Sequence, residues 1–121
     1  MRGMKNVTTK EAINIALEAM EEKLAVDIKI LDIAEISSIG DYFIICNGGS
    51  VPQVHAIVNN IDEKLGKCGF APKQVEGYQN ANWILMDYGD FIIHVFDKEN
   101  RSFYDLERIW KDGKEVTKET L

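Results

Sequence analysis

Residues 76–110 read EGYQNANWILMDYGDFIIHVFDKENRSFYDLERIW, and their reading decides the fold. Two apolar runs, Trp83–Met86 and Phe91–Phe96, flank Asp87-Tyr88-Gly89-Asp90. Glycine supplies the positive φ that tight hairpin turns require, so the stretch predicts a hairpin with Tyr88-Gly89 as its two-residue loop. That loop pairs Asp87 with Asp90, Met86 with Phe91, Leu85 with Ile92, Ile84 with Ile93 and Trp83 with His94. A three-residue loop with a bulge is the alternative, and it would change which residues share a face. Strand side chains alternate between faces. One face therefore collects Ile84, Met86, Phe91, Ile93 and Val95, all core material. The other collects Trp83, Leu85, Ile92, His94 and Phe96, and ends in Asp87 and Asp90. An apolar face with an aromatic anchor and an acidic end is not a solvated face. It is either covered by the chain's own helices or used to bind a partner.

Downstream, Ser102 can cap a helix carrying Phe103, Leu106, Ile109 and Trp110, and Lys111–Leu121 is polar and expected to fray. Upstream, Thr8-Thr9-Lys10-Glu11 fits a capping box. Ala12, Ile15, Ala16, Ala19 and Met20 then recur at helical spacing, predicting a helix to about Leu24. Val26, Ile28 and Ile30 alternate with Asp27, Lys29 and Leu31, a strand with one better-buried face. Ile36–Gly40 turns the chain. Asp41–Cys46 is a nearly continuous apolar run and reads as a central strand buried on both faces.

Asn47-Gly48-Gly49-Ser50 is a loop in which Ser50 serves as N-cap and Gln53 completes a capping-box pattern. Pro52 is tolerated in the first helical turn. Val51, Val54, Ile57, Val58, Ile61 and Leu65 form the buried stripe of this second helix, while Gln53, Asn59, Asn60, Glu63 and Lys64 face elsewhere. A short strand around Lys73–Glu76 precedes the hairpin. The order is α-β-β-α-β-β-β-α. It predicts a single α/β (α+β mixed) domain over residues 1–113, with a mixed sheet of about five strands and packed helices, followed by a polar tail at 114–121.

Composition narrows the function. The chain has 121 residues, 45% of them hydrophobic and 28% charged, enough for one domain with a real core. Its net charge of −6 repels phosphate backbones, so direct sequence-specific nucleic-acid binding is not expected. The same charge suits a basic protein partner. Cys46 and Cys68 are the only cysteines, lie in no C-x-x-C motif and have no histidine cluster beside them. No metal site or cofactor is expected, and a reducing compartment is compatible with both thiols. No apolar stretch approaches the roughly 20 residues needed to span a bilayer, and the N-terminus has no leader-like run. The expectation is a cytoplasmic protein.

Candidate chemistry is sparse. Gly48-Gly49-Ser50 follows a strand and opens a helix, a place where backbone N–H groups can hold a phosphate. It resembles the glycine–serine turn of the nucleotidyltransferase superfamily. Those enzymes need paired carboxylates on the next strand to hold a divalent metal. Here that strand reads Lys73-Gln74-Val75-Glu76, and Glu76 is its only acid. A helix-capping turn is the plainer reading, with a metal-dependent nucleotidyltransferase using Gly49-Ser50 as the alternative. Asp87 and Asp90 are turn residues or partner contacts, since a catalytic pair needs unequal environments in a cleft. His94 has no Ser, Cys or Asp partner at recognisable spacing, and reads as a packed or interface residue. His55 reads as a surface residue. Trp83 is the strongest candidate for binding, because interface hot spots are enriched in tryptophan among apolar neighbours with a polar rim.

Taken together, these motifs resemble the ribosomal silencing factor family, also called Iojap or RsfS. The matching residues are Asp41-Tyr42-Phe43-Ile44-Ile45, Gly49-Ser50 with Gln53-Val54, and Glu76-Gly77. They continue with Trp83–Asp90, His94-Val95-Phe96, and Arg101-x-Phe103-Tyr104-x-Leu106-Glu107 with Trp110. The match runs from the first helix to Lys111. Gly48 stands where members often have Thr. The resemblance implies a nucleotidyltransferase-like fold without catalytic residues, and no enzyme activity. It implies binding to the large ribosomal subunit through ribosomal protein fourteen, a steric block to joining with the small subunit, and lowered translation under nutrient limitation. The expected contact is the hairpin face: Trp83, Leu85, Ile92, His94 and Phe96 at the centre, with Asp87 and Asp90 toward basic residues. Glu76 and Tyr104 are secondary. A homodimer through the Trp83 face is the other arrangement the sequence leaves open.

Overall fold

Trp83–Asp87 and Phe91–Asp97 do pair as an antiparallel hairpin, but two residues out of the expected register. Trp83 lies opposite Phe96, Leu85 opposite His94, and Asp87 opposite Ile92. The Tyr88 N–H donates to the Phe91 carbonyl at 3.0 Å, so the turn is centred on Gly89-Asp90. Gly89 sits at φ +91°, which a turn with glycine at its first central position requires. The Asp87 carboxylate accepts from the Gly89 N–H at 2.8 Å and moves the turn one position later than expected. A shift by an even number keeps every side chain on its face, so the two face sets survive the register error.

The computed structural model describes residues 8–34, 41–98 and 114–116. Its elements are α1 (Thr9–Glu22), β1 (Val26–Asp32), β2 (Tyr42–Gly48), α2 (Val51–Gly66), β3 (Gln74–Glu76), β4 (Trp83–Asp87), β5 (Phe91–Asp97) and β6 (Lys114–Val116). The sheet order is β3-β4-β5-β2-β1-β6. Among the described strands only β2 and β5 run parallel. β2 is central and buried along nearly its whole length, as its apolar run predicts. The mixed α/β fold with a sheet of about five strands is therefore present, extended by a sixth. That addition corrects the reading of residues 114–116 as frayed tail: β6 pairs antiparallel with β1 through Ile30, Leu31 and Asp32. The turn expected at Ile36–Gly40 and the helix expected over Ser102–Trp110, with Tyr104, lie outside the described residues.

Both described helices pack on one face of the sheet. Thr8 caps α1 with the full reciprocal box to Glu11, as its sequence pattern requires. Ala12, Ile13, Ala16, Leu17, Ala19 and Met20 of α1 meet Val54, Ile57, Val58, Ile61 and Leu65 of α2. Ile44, Ile84, Met86, Phe91, Ile93 and Val95 complete this core from the strands. Each fully buried Ile or Leu contributes about 1.5–3 kcal/mol relative to exposure. Val51 departs from the expected stripe and is exposed, because it stands at the first residue of its helix.

Two polar residues of α2 hold α1 in place. Asn60, expected to face elsewhere, is buried and donates to the Ala19 carbonyl at 2.9 Å and to the Glu22 carboxylate at 2.8 Å. Gln53 donates to the carbonyls of Lys23 and Leu24 at 3.1 and 3.0 Å, while its own oxygen accepts from Gly49 N–H at 2.7 Å. The carbonyls at the end of a helix have no intrahelical partner, and these amides supply one. His55 is not a free surface residue either. It is half-buried, stacks on Tyr78 with ring centroids 4.3 Å apart, and its Nε2 lies 2.6 Å from the Tyr78 carbonyl.

Candidate functional site

The second face of the sheet, away from α1 and α2, carries a separate apolar cluster. Leu31 and Ile33, Phe43 and Ile45 of β2, and Ile92 and Phe96 of β5 are all buried there. Trp83 and Leu85 of β4 pack against its margin and are half-buried. The sequence placed Trp83, Leu85, Ile92, His94 and Phe96 in one row, and the structure keeps them on one face. It corrects their accessibility. Ile92, His94 and Phe96 are 5%, 3% and 0% exposed, so these three pack beside Trp83 and Leu85 and are not open to a partner.

The aromatic residues interlock. Trp83 stacks on Phe96 with ring centroids 5.3 Å apart. The Trp83 indole N–H donates to His94 Nδ1 at 3.0 Å, and Phe43 meets the His94 ring edge-on at 4.6 Å. Burial alone drives the His94 imidazole from an ordinary 6.5 down to about 3, because a charge there would have no water to solvate it. His94 is therefore neutral at physiological pH. Tyr88, stacked on Phe91 on the helix face, has its phenol pushed above the usual range by burial and by nearby Asp62.

Register decides which acids border the row. Glu76 of β3 lies opposite Leu85, and Gln74 lies opposite Asp87, so Glu76 and Gln74 share the Trp83 face. Asp87 is on the same face but four residues from Trp83 along β4, about 13 Å at strand spacing. Asp90 is not gathered into the row. Its carboxylate accepts from the Thr9 hydroxyl at 3.2 Å and is anchored to α1, the helix on the opposite face. Glu76, secondary in the sequence reading, is thus closer by register to Trp83 than Asp87 is. No local pattern could have raised its rank, because the proximity arises from β3 pairing with β4.

The same topology separates the parts a nucleotidyltransferase would need. Gly49-Ser50 follows β2, while Glu76 ends β3, three strand spacings away and so about 14 Å across the sheet. The loop's donors are also engaged within the chain. Gly49 N–H is bound by Gln53, Gln53 N–H by the Ser50 hydroxyl at 3.2 Å, and Val54 N–H by the Ser50 carbonyl at 2.9 Å. Glu76 and the loop do not form one site. Among the described residues no helix is long and apolar enough to cross a membrane.

Comparison with known proteins agrees with the architecture. The chain is 44% identical over 104 residues to the ribosomal silencing factor RsfS of Bacillus subtilis, covering 86% of this chain and 88% of that protein. It is 29% identical over 108 residues to the mouse protein named mitochondrial assembly of ribosomal large subunit protein 1, spanning 87% of this chain and 47% of that protein. A crystal structure of a Chromobacterium violaceum protein superposes with a TM-score of 0.84 at 32% identity, covering 92% of each chain. One from Bacillus halodurans superposes at 0.80 with 36% identity, covering 90% of this chain and 99% of that one. Residues 6–121 match the family model described as ribosomal silencing factor during starvation, and the chain belongs to that family.

Proposed function

We propose that this protein represses translation by binding the large ribosomal subunit through ribosomal protein fourteen, where it sterically blocks joining with the small subunit under nutrient limitation. Family membership supports the ribosome as target. The observation that carries the contact is the half-buried Trp83, set with Leu85 on a supported aromatic platform and bordered by Glu76 and Asp87. A large amphipathic side chain among apolar neighbours with a charged rim is the composition of an interface hot spot. The net charge of −6 favours encounter with a basic ribosomal surface. The mechanism is occlusion: no bond is made or broken, and inhibition depends on concentration relative to the dissociation constant. The protein acts in the cytoplasm, where free subunits are found.

The decisive experiment is co-sedimentation with purified large subunits, followed by addition of small subunits. The expected result is a bound factor and a concentration-dependent fall in complete ribosomes. Unimpaired joining at saturating factor would overturn the proposal. Trp83→Ala should fold normally and weaken binding by about 2 kcal/mol, roughly 30-fold. Undiminished affinity in that variant would remove Trp83 from the contact.

A further inference from the structure

We infer that His94 is a positioning residue for docking: its bare Nδ1 holds the Trp83 indole in its binding orientation before the partner arrives. The inference rests on the docking role proposed for Trp83. An indole nitrogen can only donate, so the 3.0 Å contact fixes Nδ1 of His94 as the acceptor and places the ring proton on Nε2. That Nε2 is buried and, among the described residues, has no hydrogen-bond partner. A buried donor left unpaired is costly, and a histidine used only to fill space would be better replaced by an apolar side chain. What the imidazole offers, and an apolar residue does not, is the lone pair facing Trp83.

Aromatic neighbours pack around the imidazole. Phe43 stands edge-on to the imidazole at 4.6 Å, and Phe96 lies nearly parallel to it at 6.4 Å. Phe96 also stacks on the Trp83 indole itself. The indole is thus gripped by one ring face and one hydrogen bond, in a row where Leu85 is the residue directly across from His94. A side chain ordered before association does not lose its rotamer freedom on binding, which is worth about two- to tenfold in affinity.

Nitrogen-detected NMR of the intact protein tests the tautomer, and Trp110→Phe leaves a single indole resonance to assign. The expected spectrum shows His94 protonated on Nε2 and a Trp83 indole proton protected from solvent exchange. A proton on Nδ1 would overturn the inference without any variant. His94→Leu removes the acceptor, whereas His94→Asn places an amide oxygen where Nδ1 stood. Exchange protection should be lost in the leucine variant and retained in the asparagine one. Affinity for purified large subunits should fall by about two- to tenfold in the former and recover in the latter. A folded leucine variant that keeps full affinity, while Trp83→Ala loses it, would sink the positioning role alone. Unchanged affinity in Trp83→Ala would instead sink the docking reading and this role with it.

Discussion

At the scale of single residues, Trp83 is fixed from two directions. His94 holds its indole, and Gly77 lies against its backbone. Gly77 adopts φ +80°, and a Cβ there would come within 2.3 Å of the Trp83 carbonyl oxygen. Gly77→Ala should therefore cost about 2 kcal/mol or more, from left-handed strain plus the clash. Urea unfolding with a lowered midpoint and an unchanged slope would confirm this, and an unchanged midpoint would refute it. His94 also predicts an acid limb of stability. Its folded value of about 3 lies below the ordinary 6.5, so below pH 6.5 the unfolded chain binds a proton that the folded chain refuses. Its contribution is fully present above 6.5 and is lost as pH falls toward 3, with a slope of up to about 1.4 kcal/mol per pH unit. Unfolding free energies measured from neutral to acidic pH should show a shallower slope in His94→Leu. Identical slopes would place the acid sensitivity elsewhere.

At the scale of elements, the helix pair is joined by amides as well as by apolar stripes. α1 ends without a glycine, and Leu24 takes φ +62° while remaining 74% exposed. Asn60 and Gln53, both from α2, bind the carbonyls that this ending leaves open. Asn60→Ala should destabilise the fold by about 1–3 kcal/mol, because it strands a buried carbonyl. Calorimetry would show the lowered midpoint, and an unmoved one would mean water replaces the amide at no cost. Both described helices, their caps and most of their stripes were legible in the sequence, since capping and periodicity are local; Val51 proved exposed, and the buried Ile13 and Leu17 of α1 were missed. The roles of Asn60 and Gln53 were not, because each bond reaches about 30 to 40 positions along the chain.

At the scale of the whole molecule, the contact we propose puts an acidic protein against its partner through a face whose acids are placed by sheet order. Glu76→Gln and Asp87→Asn should each weaken binding to large subunits, more at low salt than at high salt, because exposed charges are screened over about 10 Å at 0.1 M. Asp90→Asn should leave affinity nearly unchanged, since that carboxylate reaches to α1, on the side of the sheet away from Trp83. Affinities measured across a salt series separate the cases. A salt-independent loss at Glu76, or a large loss at Asp90, would contradict this arrangement.

The sequence by itself determined the two faces of the hairpin, the central buried strand, the two capped helices and the family. Each of these is written in alternation, periodicity or a short motif, and alternation survives even a two-residue slip in register. Tertiary structure alone decided which members of the Trp83 row reach the surface. It also decided that Glu76 and not Asp90 borders that row, and that Lys114–Val116 joins the sheet. Those outcomes depend on which strands become neighbours, and strand pairing is a property of distant segments that no local pattern encodes.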